Sequence, residues 1–332
     1  MSLQGVRVLV SGADGFIGSH LTEALVRGGA EVRAFVLYNS LGQWGWLDHL
    51  PKEIRDEIEV FPGDIRDLHR VKQSLTGVQV VFHLASLIAI PYSYRSPDSY
   101  VETNIRGTLN LLQASLDVEV SRFIHTSTSE VYGTAAYVPI DEKHPVVGQS
   151  PYAATKIGAD QMAEAFHRSY GLPVVTLRPF NTYGPRQSAR AIIPTIITQL
   201  ASGVESICLG SREPVRDFTF VDDTVRAFLL AAETAALEGS LINIGSGSGI
   251  SIGDLADKLI GLSGRKVSIT TDSQRIRPPE SEVMRLVCDH RVALAKLGWS
   301  PKISLDEGLR STYEWLTRPD HLAMYKPDRY MI

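Results

Sequence analysis

The sequence is poor in the features that mark several classes of protein. Only two of its 332 residues are cysteines, Cys208 and Cys288, and no CxxC pair occurs, so we expect neither a disulfide framework nor a metal site. Lysine and arginine total 33 against 37 acidic residues, a net charge of −4, and they form no basic block. This balance argues against nucleic acid and anionic membranes as partners.

Long hydrophobic runs are also missing. The longest apolar stretch, residues 78–91, contains Gln79 and His83 and is too short to span a bilayer, and the first residues lack a signal-peptide pattern. We therefore expect a soluble, cytoplasmic protein. The hydrophobic fraction of 44% is that of a globular chain, and the length predicts one large domain with an additional lobe.

Patterns typical of buried strands and of helices alternate along the chain. Strands are predicted at residues 6–10, 31–37, 58–61, 78–84, 122–127, 173–178 and 241–244. Helices are predicted at residues 17–27, 68–75, 99–116 and 151–170. This alternation predicts an α/β fold with a doubly wound parallel sheet covered by helices on both faces.

A glycine-rich turn follows the first predicted strand and opens the first helix. Glycines at 12, 15 and 18 allow a tight turn, a close approach to a pyrophosphate and packing of helix on strand. The helix N-terminus then faces the phosphates. The turn predicts a Rossmann-like, dinucleotide-binding sheet, with cofactor contacts from Gly12, Gly15, Phe16, Ile17 and Gly18.

Beyond residue 178 the alternation loosens, with frequent proline and glycine. We interpret this part as a smaller C-terminal lobe interleaved with the first domain. The predicted dinucleotide-binding domain comprises residues 1–178 and 219–245, and the predicted substrate lobe comprises 179–218 and 246–332. A cleft between the two is where a ligand is expected.

The end of the second predicted strand bears on the choice of cofactor. An acidic residue there would bind the adenosine 2′-hydroxyl of NAD, but residues 35–40 contain no carboxylate. Asn39 and Ser40 can donate hydrogen bonds to the 2′-phosphate of NADP, and Arg33 can add charge, unless it is simply a solvated strand residue. The cofactor is therefore NADP or NAD, with NADP slightly favoured.

Two further patterns predict catalytic groups. Tyr152 and Lys156 are four residues apart on a predicted helix, so the ammonium lies beside the phenol and is expected to lower its pKa from about 10. Thr128, Ser129 and Glu130 follow a predicted parallel strand, where open α/β sheets place active sites. Thr128 suits a substrate hydroxyl, and Glu130 is a base for abstraction at carbon, or else a capping or surface glutamate.

The GxxGxxG spacing, with residues 178–186 and 216–223, resembles the nucleotide-sugar branch of the extended short-chain dehydrogenases across residues 5 to about 317. The resemblance implies an adenine contact at Asp64 and Ile65. It implies cofactor and substrate contacts near Leu84, Ala85 and Ser86. The diphosphate of a sugar nucleotide would be held by Asn181, Arg216 and Arg277.

Within this branch the chain is most similar to 4,6-dehydratases of UDP-N-acetylglucosamine in legionaminic-acid-type pathways. The stretches that carry this resemblance are residues 33–48, 88–94, 134–145 and 277–286. It implies C4 oxidation by Tyr152 with Lys156 and Thr128, removal of the C5 proton by Glu130, and loss of water from C6. Ser129 departs from the aspartate that glucose 4,6-dehydratases have there as the acid.

Three other functions stay open. A UDP-glucuronate decarboxylase needs no acid at Ser129, and Arg186 or Arg277 can bind its substrate's carboxylate. A 4-epimerase needs only Tyr152, Lys156 and a roomy pocket. A cofactor-binding sensor without activity is the alternative that is not an enzyme. The resemblance also implies a homodimer formed through the helices at 99–116 and 151–170.

Overall fold

The computed structural model describes residues 2–326. Its strands are β1 Arg7–Ser11, β2 Glu31–Leu37, β3 Ile58–Gly63, β4 Val80–His83, β5 Arg122–Thr126, β6 Val174–Pro179, β7 Asn181–Tyr183, β8 Ser206–Leu209, β9 Val215–Phe220, β10 Leu241–Ile244, β11 Gly249–Ser251 and β12 Ser268–Thr271. Its α-helices are α1 Phe16–Arg27, α2 Lys52–Arg55, α3 Leu68–Ser74, α4 Ile90–Ser93, α5 Pro97–Tyr100, α6 Gly107–Asp117, α7 Pro151–Tyr170, α8 Ile192–Ala201, α9 Val221–Glu233, α10 Ile252–Ser263, α11 Arg291–Leu297, α12 Leu305–Leu316 and α13 Pro319–Leu322.

A seven-stranded sheet in the order β3-β2-β1-β4-β5-β6-β10 forms the centre of the fold. Every neighbouring pair in it is parallel. The order reverses between β1 and β4, and ligands of doubly wound sheets bind outside the carboxyl ends of the strands at such a point. The predicted α/β fold class is confirmed.

The core explains why the strands are almost continuously apolar. In β1, Val8 and Val10 pack into one buried cluster with residues of α1 and α9. Leu9 points to the other face and joins a second cluster with residues of α3, α6 and α7. Because alternate side chains of a strand face opposite sides, a sheet covered on both faces needs apolar residues at every position.

Two smaller sheets are formed by strands that follow β6 in the chain. A three-stranded sheet has the order β11-β9-β7, and β12 pairs with β8. The division into a dinucleotide-binding domain and a substrate lobe stays a prediction. The predicted ranges begin at Met1 and end at residue 332, and Met1 and residues 327–332 lie outside the described residues. Within residues 2–326 no helix is long and apolar enough to cross a membrane, and no cluster of metal-ligating side chains is found.

The predicted helix at residues 99–116 is interrupted. The structure has α5, then a π-helical segment at Val101–Arg106, then α6. A π turn holds one more residue than an α turn, which changes the direction of its side chains and is frequent at functional sites. Side-chain periodicity alone does not reveal such a turn, because the residues on either side of it still follow an α-helical pattern.

Candidate active site

The glycine-rich turn between β1 and α1 requires glycine for steric reasons. Gly12 has a φ of +71°, and its backbone N–H donates to the Phe35 carbonyl at 3.0 Å. A Cβ at Gly12 would lie 2.9 Å from the Ala85 backbone, and one at Gly18 would lie 2.0 Å from the Gly12 oxygen. No side chain caps the N-terminus of α1 at Gly15. The exposed backbone N–H groups there fit a pyrophosphate.

Ser11 fixes the chain that follows β4 beside this turn. Its hydroxyl accepts hydrogen bonds from the backbone N–H groups of Leu84 (3.1 Å) and Ala85 (3.2 Å) and pairs with Nδ1 of His83 at 2.8 Å. Burial, with a smaller effect of nearby cations, lowers the pKa of His83. The role of Ser11 and His83 in fixing this segment was not predicted from the sequence. The signal for it is that each is the polar last residue of its strand, and the two strands, β1 and β4, are neighbours.

The predicted adenine contact lies at the end of β3. Both carboxylate oxygens of Asp64 accept hydrogen bonds from the Arg66 guanidinium, at 2.6–3.0 Å, and these lower the pKa of Asp64. Ile65 is buried, and its carbonyl accepts a hydrogen bond from Asn110 of α6 at 2.9 Å. The segment is therefore held rigidly against α6.

The residues predicted to meet a 2′-phosphate have other partners. The amide nitrogen of Asn39 donates to the Gln43 carbonyl at 2.5 Å, and its oxygen accepts from the backbone N–H groups of Leu41 and Gln43. Ser40 is exposed on the same loop. The Asn39 side chain thus closes the loop that follows β2.

The predicted role of Arg33 is wrong. Its guanidinium is buried, donates to the carbonyls of Ser74 (2.7 Å) and Thr76 (3.0 Å), and pairs with Glu59 at 2.9 Å. The reason is its position in the middle of β2, which directs the side chain to the end of α3 rather than to the end of the sheet.

Tyr152 and Lys156 lie on the first turns of α7, which begins at Pro151 after the N-cap Ser150. The Lys156 ammonium donates to the Thr126 carbonyl at 2.7 Å. Burial lowers the pKa of Lys156 to about 8, opposed by the charge of Asp160. The ordinary lysine value is 10.5, so this amine releases its proton more readily than a solvent-exposed lysine, and it is still mostly charged at neutral pH.

The structure contradicts the expected direction of the Tyr152 pKa. Burial raises the pKa of this phenol, a hydrogen bond from Thr128 lowers it, and the charge of Glu130 raises it. Lys156 was expected to lower the pKa, but its ammonium hydrogen-bonds the backbone of β5 instead. The desolvation of a phenolate, together with the negative charge of Glu130, outweighs the hydrogen bond from Thr128.

Thr128, Ser129 and Glu130 stand at the carboxyl end of β5. Thr128 caps a short 3₁₀ helix, Ser129–Tyr132, and its hydroxyl accepts from the Glu130 backbone N–H at 3.3 Å. Ser129 is buried, whereas Glu130 is partly exposed. The charge of Glu130 acts on Tyr152 on one side and on Arg216 on the other. The charge of Glu130 is therefore felt both at the Tyr152 phenol and at Arg216.

A buried ion cluster beneath these residues was missed. Asp160 lies one turn beyond Lys156 on α7, and its carboxylate accepts from His125 (3.0 Å), Ser127 (2.6 Å) and Arg178 (2.9 and 3.2 Å). These bonds join α7 to β5 and β6. Residues 152, 156 and 160 are four positions apart and therefore lie on one face of α7. This spacing was the signal in the sequence for the buried position of Asp160.

Asn104 in the π-helical segment was also missed. Its amide oxygen accepts from the Ser86 hydroxyl (2.9 Å) and the Leu87 N–H (2.8 Å), and its nitrogen donates to the Thr155 hydroxyl at 3.1 Å. Thr155 in turn donates to the Tyr152 carbonyl at 2.8 Å. Asn104 therefore ties the segment after β4 to α7, the helix that carries Tyr152 and Lys156.

Two of the predicted substrate arginines converge. Arg216 and Arg277 both donate to Oε1 of Glu282, at 3.2 and 3.4 Å. Asn181 donates to the carbonyl of Asp217, the residue that follows Arg216, at 3.4 Å. Burial lowers the pKa of Arg216, opposed by the charge of Glu130. Sequence analysis quoted Glu282 within a motif but gave it no role.

Arg186 has a different partner. Its guanidinium donates to Glu23 of α1 at 2.7 Å, and its backbone has a φ of +68°. His20, one turn before Glu23, pairs with the Pro185 carbonyl at 3.0 Å. These contacts attach the turn after β7 to the helix that begins at the glycine-rich turn.

The chain is similar to known nucleotide-sugar enzymes over most of its length. The sequence pattern of the family described as GDP-mannose 4,6 dehydratase matches residues 9–312. A dTDP-glucose 4,6-dehydratase of Actinoplanes sp. is 30% identical over 318 residues, which cover 93% of this chain and 97% of the relative. The match thus includes both the glycine-rich turn and the arginines of the C-terminal part.

Two solved structures are similar over nearly the whole chain. The dTDP-glucose 4,6-dehydratase of Streptomyces venezuelae, solved with NAD and TYD bound, has a TM-score of 0.85 and 30% identity, covering 98% of this chain and 100% of its own. The UDP-glucuronic acid 4-epimerase of Bacillus cereus, solved with UDP-glucuronic acid and NAD, has a TM-score of 0.85 and 29% identity, covering 94% and 99%.

Proposed function

This chain belongs to the GDP-mannose 4,6-dehydratase family, and on that premise we propose that it is a nucleotide-sugar 4,6-dehydratase that converts UDP-N-acetylglucosamine to a 4-keto-6-deoxy sugar. The choice of this substrate rests on the resemblance of residues 33–48, 88–94, 134–145 and 277–286 to the legionaminic-acid-type dehydratases. The similar structures supply the general chemistry, because one is a dehydratase and both contain NAD.

The cofactor would be held by the carboxyl edge of the sheet. The glycine-rich turn fits a pyrophosphate because a Cβ at Gly12 or Gly18 would collide with the backbone. By the resemblance, Asp64 and Ile65 would border the adenine, and the segment from Leu84 to Ser86 would flank the cofactor. When bound, NAD or NADP would take a hydride from C4 of the sugar and return it to C6, and C5 would then regain a proton.

The first proton is taken at the C4 hydroxyl by Tyr152. Lys156 lies one turn away on α7 and is a cation below a pH of about 8, but its ammonium donates to the Thr126 carbonyl rather than to the phenol. Thr128, which hydrogen-bonds the phenol, orients the same hydroxyl. The C4 ketone that results acidifies the hydrogen at C5.

The observation that carries the proposal is the position of Glu130. Glu130 follows Thr128 at the carboxyl end of β5, and its charge influences both Tyr152 and Arg216, so we place C5 of a sugar whose C4 lies at the phenol next to Glu130. The diphosphate would then extend toward Arg216. Oxidation at C4 alone needs no base at carbon, whereas elimination across C5 and C6 does.

Ser129 determines how the C6 hydroxyl leaves. A serine hydroxyl does not release its proton near neutral pH. Glu130 becomes a carboxylic acid when it takes the C5 proton, and it can deliver that proton to the C6 oxygen, which leaves as water. A bound water molecule is the other possible proton donor. In either case Glu130 is the residue on which elimination depends.

A 4-epimerase is the second candidate, supported by the likeness to the Bacillus cereus epimerase and by the absence of an acid at Ser129. A glucuronate substrate, which the decarboxylase alternative also requires, is less well supported. It needs a cation for its carboxylate, and Arg186 is already paired with Glu23 at 2.7 Å, while Arg277 is the arginine that we assign to the diphosphate.

The test is mass spectrometry of the nucleotide sugar after incubation with the purified protein and added NAD or NADP. We expect UDP-N-acetylglucosamine to lose the mass of one water, and Glu130→Gln to abolish that loss while still permitting reduction of the cofactor. Asp141→Asn, which removes a carboxylate from the loop after the same 3₁₀ helix, is the matched control and keeps full activity.

Other outcomes would contradict the dehydratase. An unchanged mass with a new epimer detected by NMR would make the chain a 4-epimerase. Loss of carbon dioxide from UDP-glucuronate would make it a decarboxylase. Absence of hydride transfer with every nucleotide sugar would leave only a cofactor-binding sensor.

We also propose that the active enzyme is a homodimer formed through α7 and the helices before it. Met162 and Tyr170 of α7 are partly or largely exposed, as is Val101 at the start of the π-helical segment. Apolar side chains on adjacent helices are suited to pairing with a second copy. The predicted lobes, 1–178 with 219–245 and 179–218 with 246–332, would each contribute to the cleft of one protomer.

A further inference from the structure

A carboxylate lies beside the end of β2, although residues 35–40 themselves include no acidic residue. It belongs to Asp14, in the glycine-rich turn: burial raises the pKa of this carboxyl, and the backbone of Leu37, the last residue of β2, acts to lower it. The strand geometry supports this contact. The Phe35 carbonyl accepts from Gly12 at 3.0 Å, and because a strand repeats every two residues, the Leu37 N–H points to the same edge.

The loop after β2 holds Asp14 in this position. The backbone N–H of Trp46 donates to the Asp14 carbonyl at 3.1 Å. Gly45 has a φ of +54°, and a Cβ there would lie 2.5 Å from the same carbonyl oxygen and 3.3 Å from the Asp14 Cβ. The Trp46 ring packs edge-on against Trp315 of α12 at 5.6 Å. Asp14 is therefore clamped between β2 and this loop.

Within residues 2–326, no lysine, arginine or histidine forms an ion pair with the Asp14 carboxylate. Residues 37–50 contain neither lysine nor arginine. Arg33 of β2 is committed to Glu59 and to the carbonyls of Ser74 and Thr76, and Arg66 is committed to both oxygens of Asp64. A second anion at this place would meet uncompensated negative charge.

We propose that Asp14 is the residue that selects NAD over NADP. Its carboxylate accepts a hydrogen bond from the adenosine 2′-hydroxyl of NAD and repels the 2′-phosphate of NADP. In many dinucleotide-binding sheets an acidic residue at the end of the second strand binds this 2′-hydroxyl. Here Asp14, in the turn that precedes that strand, would bind it instead. Exposed Leu37 and Tyr38 offer apolar surface to the adenosine beside it. This inference reverses the preference for NADP expected from the sequence.

The inference rests on the proposed function only in that the glycine-rich turn binds a dinucleotide. The test is calorimetric titration of the full-length protein, freed of copurified dinucleotide, with NAD⁺ and NADP⁺ in the absence of nucleotide sugar. We expect NAD⁺ to bind about 100-fold more tightly, because like charges placed together in a binding site cost several kcal/mol.

Variants at Asp14 isolate the cause. Asp14→Ser removes the charge and should bring the two affinities within about tenfold of each other. Asp14→Asn keeps the shape and an oxygen for the Leu37 N–H, and should give an intermediate ratio if the serine variant does not fold. Asp48→Asn is the matched control: its carboxylate accepts from the Trp44 N–H at 2.7 Å in the same loop, and its loss should leave the ratio unchanged.

The outcomes separate the two proposals. Equal affinities in the wild type, or a ratio that Asp14→Ser and Asp14→Asn leave unchanged, would overturn the role of Asp14 without affecting the dehydratase proposal. Failure to bind either dinucleotide would overturn both.

Discussion

Two carboxylates in this molecule are surrounded by basic side chains, and they differ in how completely they are neutralised. Asp160 is buried, and both of its oxygens have partners, Oδ1 with His125 and Oδ2 with Ser127 and Arg178. These bonds, with the charges of His125 and Arg178, lower its pKa to about 2 against the cost of burial. Both carboxylate oxygens of Asp160 are therefore taken up by partners within the protein.

Glu282 is held differently. Its side chain is 16% exposed, and the single oxygen Oε1 takes hydrogen bonds from Arg216 at 3.2 Å and Arg277 at 3.4 Å. Two arginines share the single oxygen Oε1 at long hydrogen-bond distances, and the charge of Glu130 also acts on Arg216. We call the Asp160 group the closed cluster and the Glu282 group the open cluster: the first stabilises the fold, whereas the arginines of the second are those that we propose for the diphosphate.

The largest effect is expected from breaking the closed cluster. Asp160→Ala leaves Arg178 and Lys156 without their buried counter-charge, and should lower the free energy of unfolding by about 3–5 kcal/mol. Chemical denaturation measures this. Ser127→Ala, which removes one hydrogen bond to Asp160 and no charge, is the control and should cost about 1 kcal/mol. Equal losses in the two variants would show that the charge of Asp160 is unimportant.

A smaller effect, on binding rather than on folding, is expected in the open cluster. Arg216→Ala should weaken UDP binding by about 10- to 100-fold, since a hydrogen bond to a charged group contributes about 1.5–3 kcal/mol. Arg277, with a side chain 27% exposed, should contribute less. Calorimetric titration with UDP checks both.

Arg212→Ala is the control for that series. Its side chain is 46% exposed and lies 4.0 Å from Asp257, so its loss should not alter UDP affinity. If Arg216→Ala lowered stability as much as Asp160→Ala and left UDP binding intact, the two clusters would have the same structural role and the comparison would fail.

The smallest effect is expected from Glu282 itself. Glu282→Gln keeps the shape of the side chain but removes the charge that competes for the two arginines, so UDP should bind up to about fivefold more tightly, the range expected for a partly exposed ion pair. The same titration measures it. Weaker binding would mean instead that the Glu282 carboxylate contacts the ligand directly.

The parts of the site that could be predicted are local in the sequence. The glycine-rich turn and the pair Tyr152 and Lys156 each lie within seven residues, and the strand or helix that carries them has its own pattern. Glu130 was identified in the same way, by its place after a buried strand. The family-specific arginines followed from resemblance, because no local pattern distinguishes a ligand-binding arginine from a surface one.

The amino-acid sequence by itself determined the alternation of strands and helices, and with it the parallel sheet, because hydrophobic periodicity is a property of neighbouring residues. Only the tertiary structure decided which charges meet. It paired Asp160 with Arg178 and Glu282 with Arg216, and it brought Asp14 to Leu37 at the end of β2. The two residues of each of these contacts are at least 18 positions apart in the chain. It also decided the direction of the Tyr152 pKa, since desolvation depends on everything packed around a group and not on its neighbours in sequence.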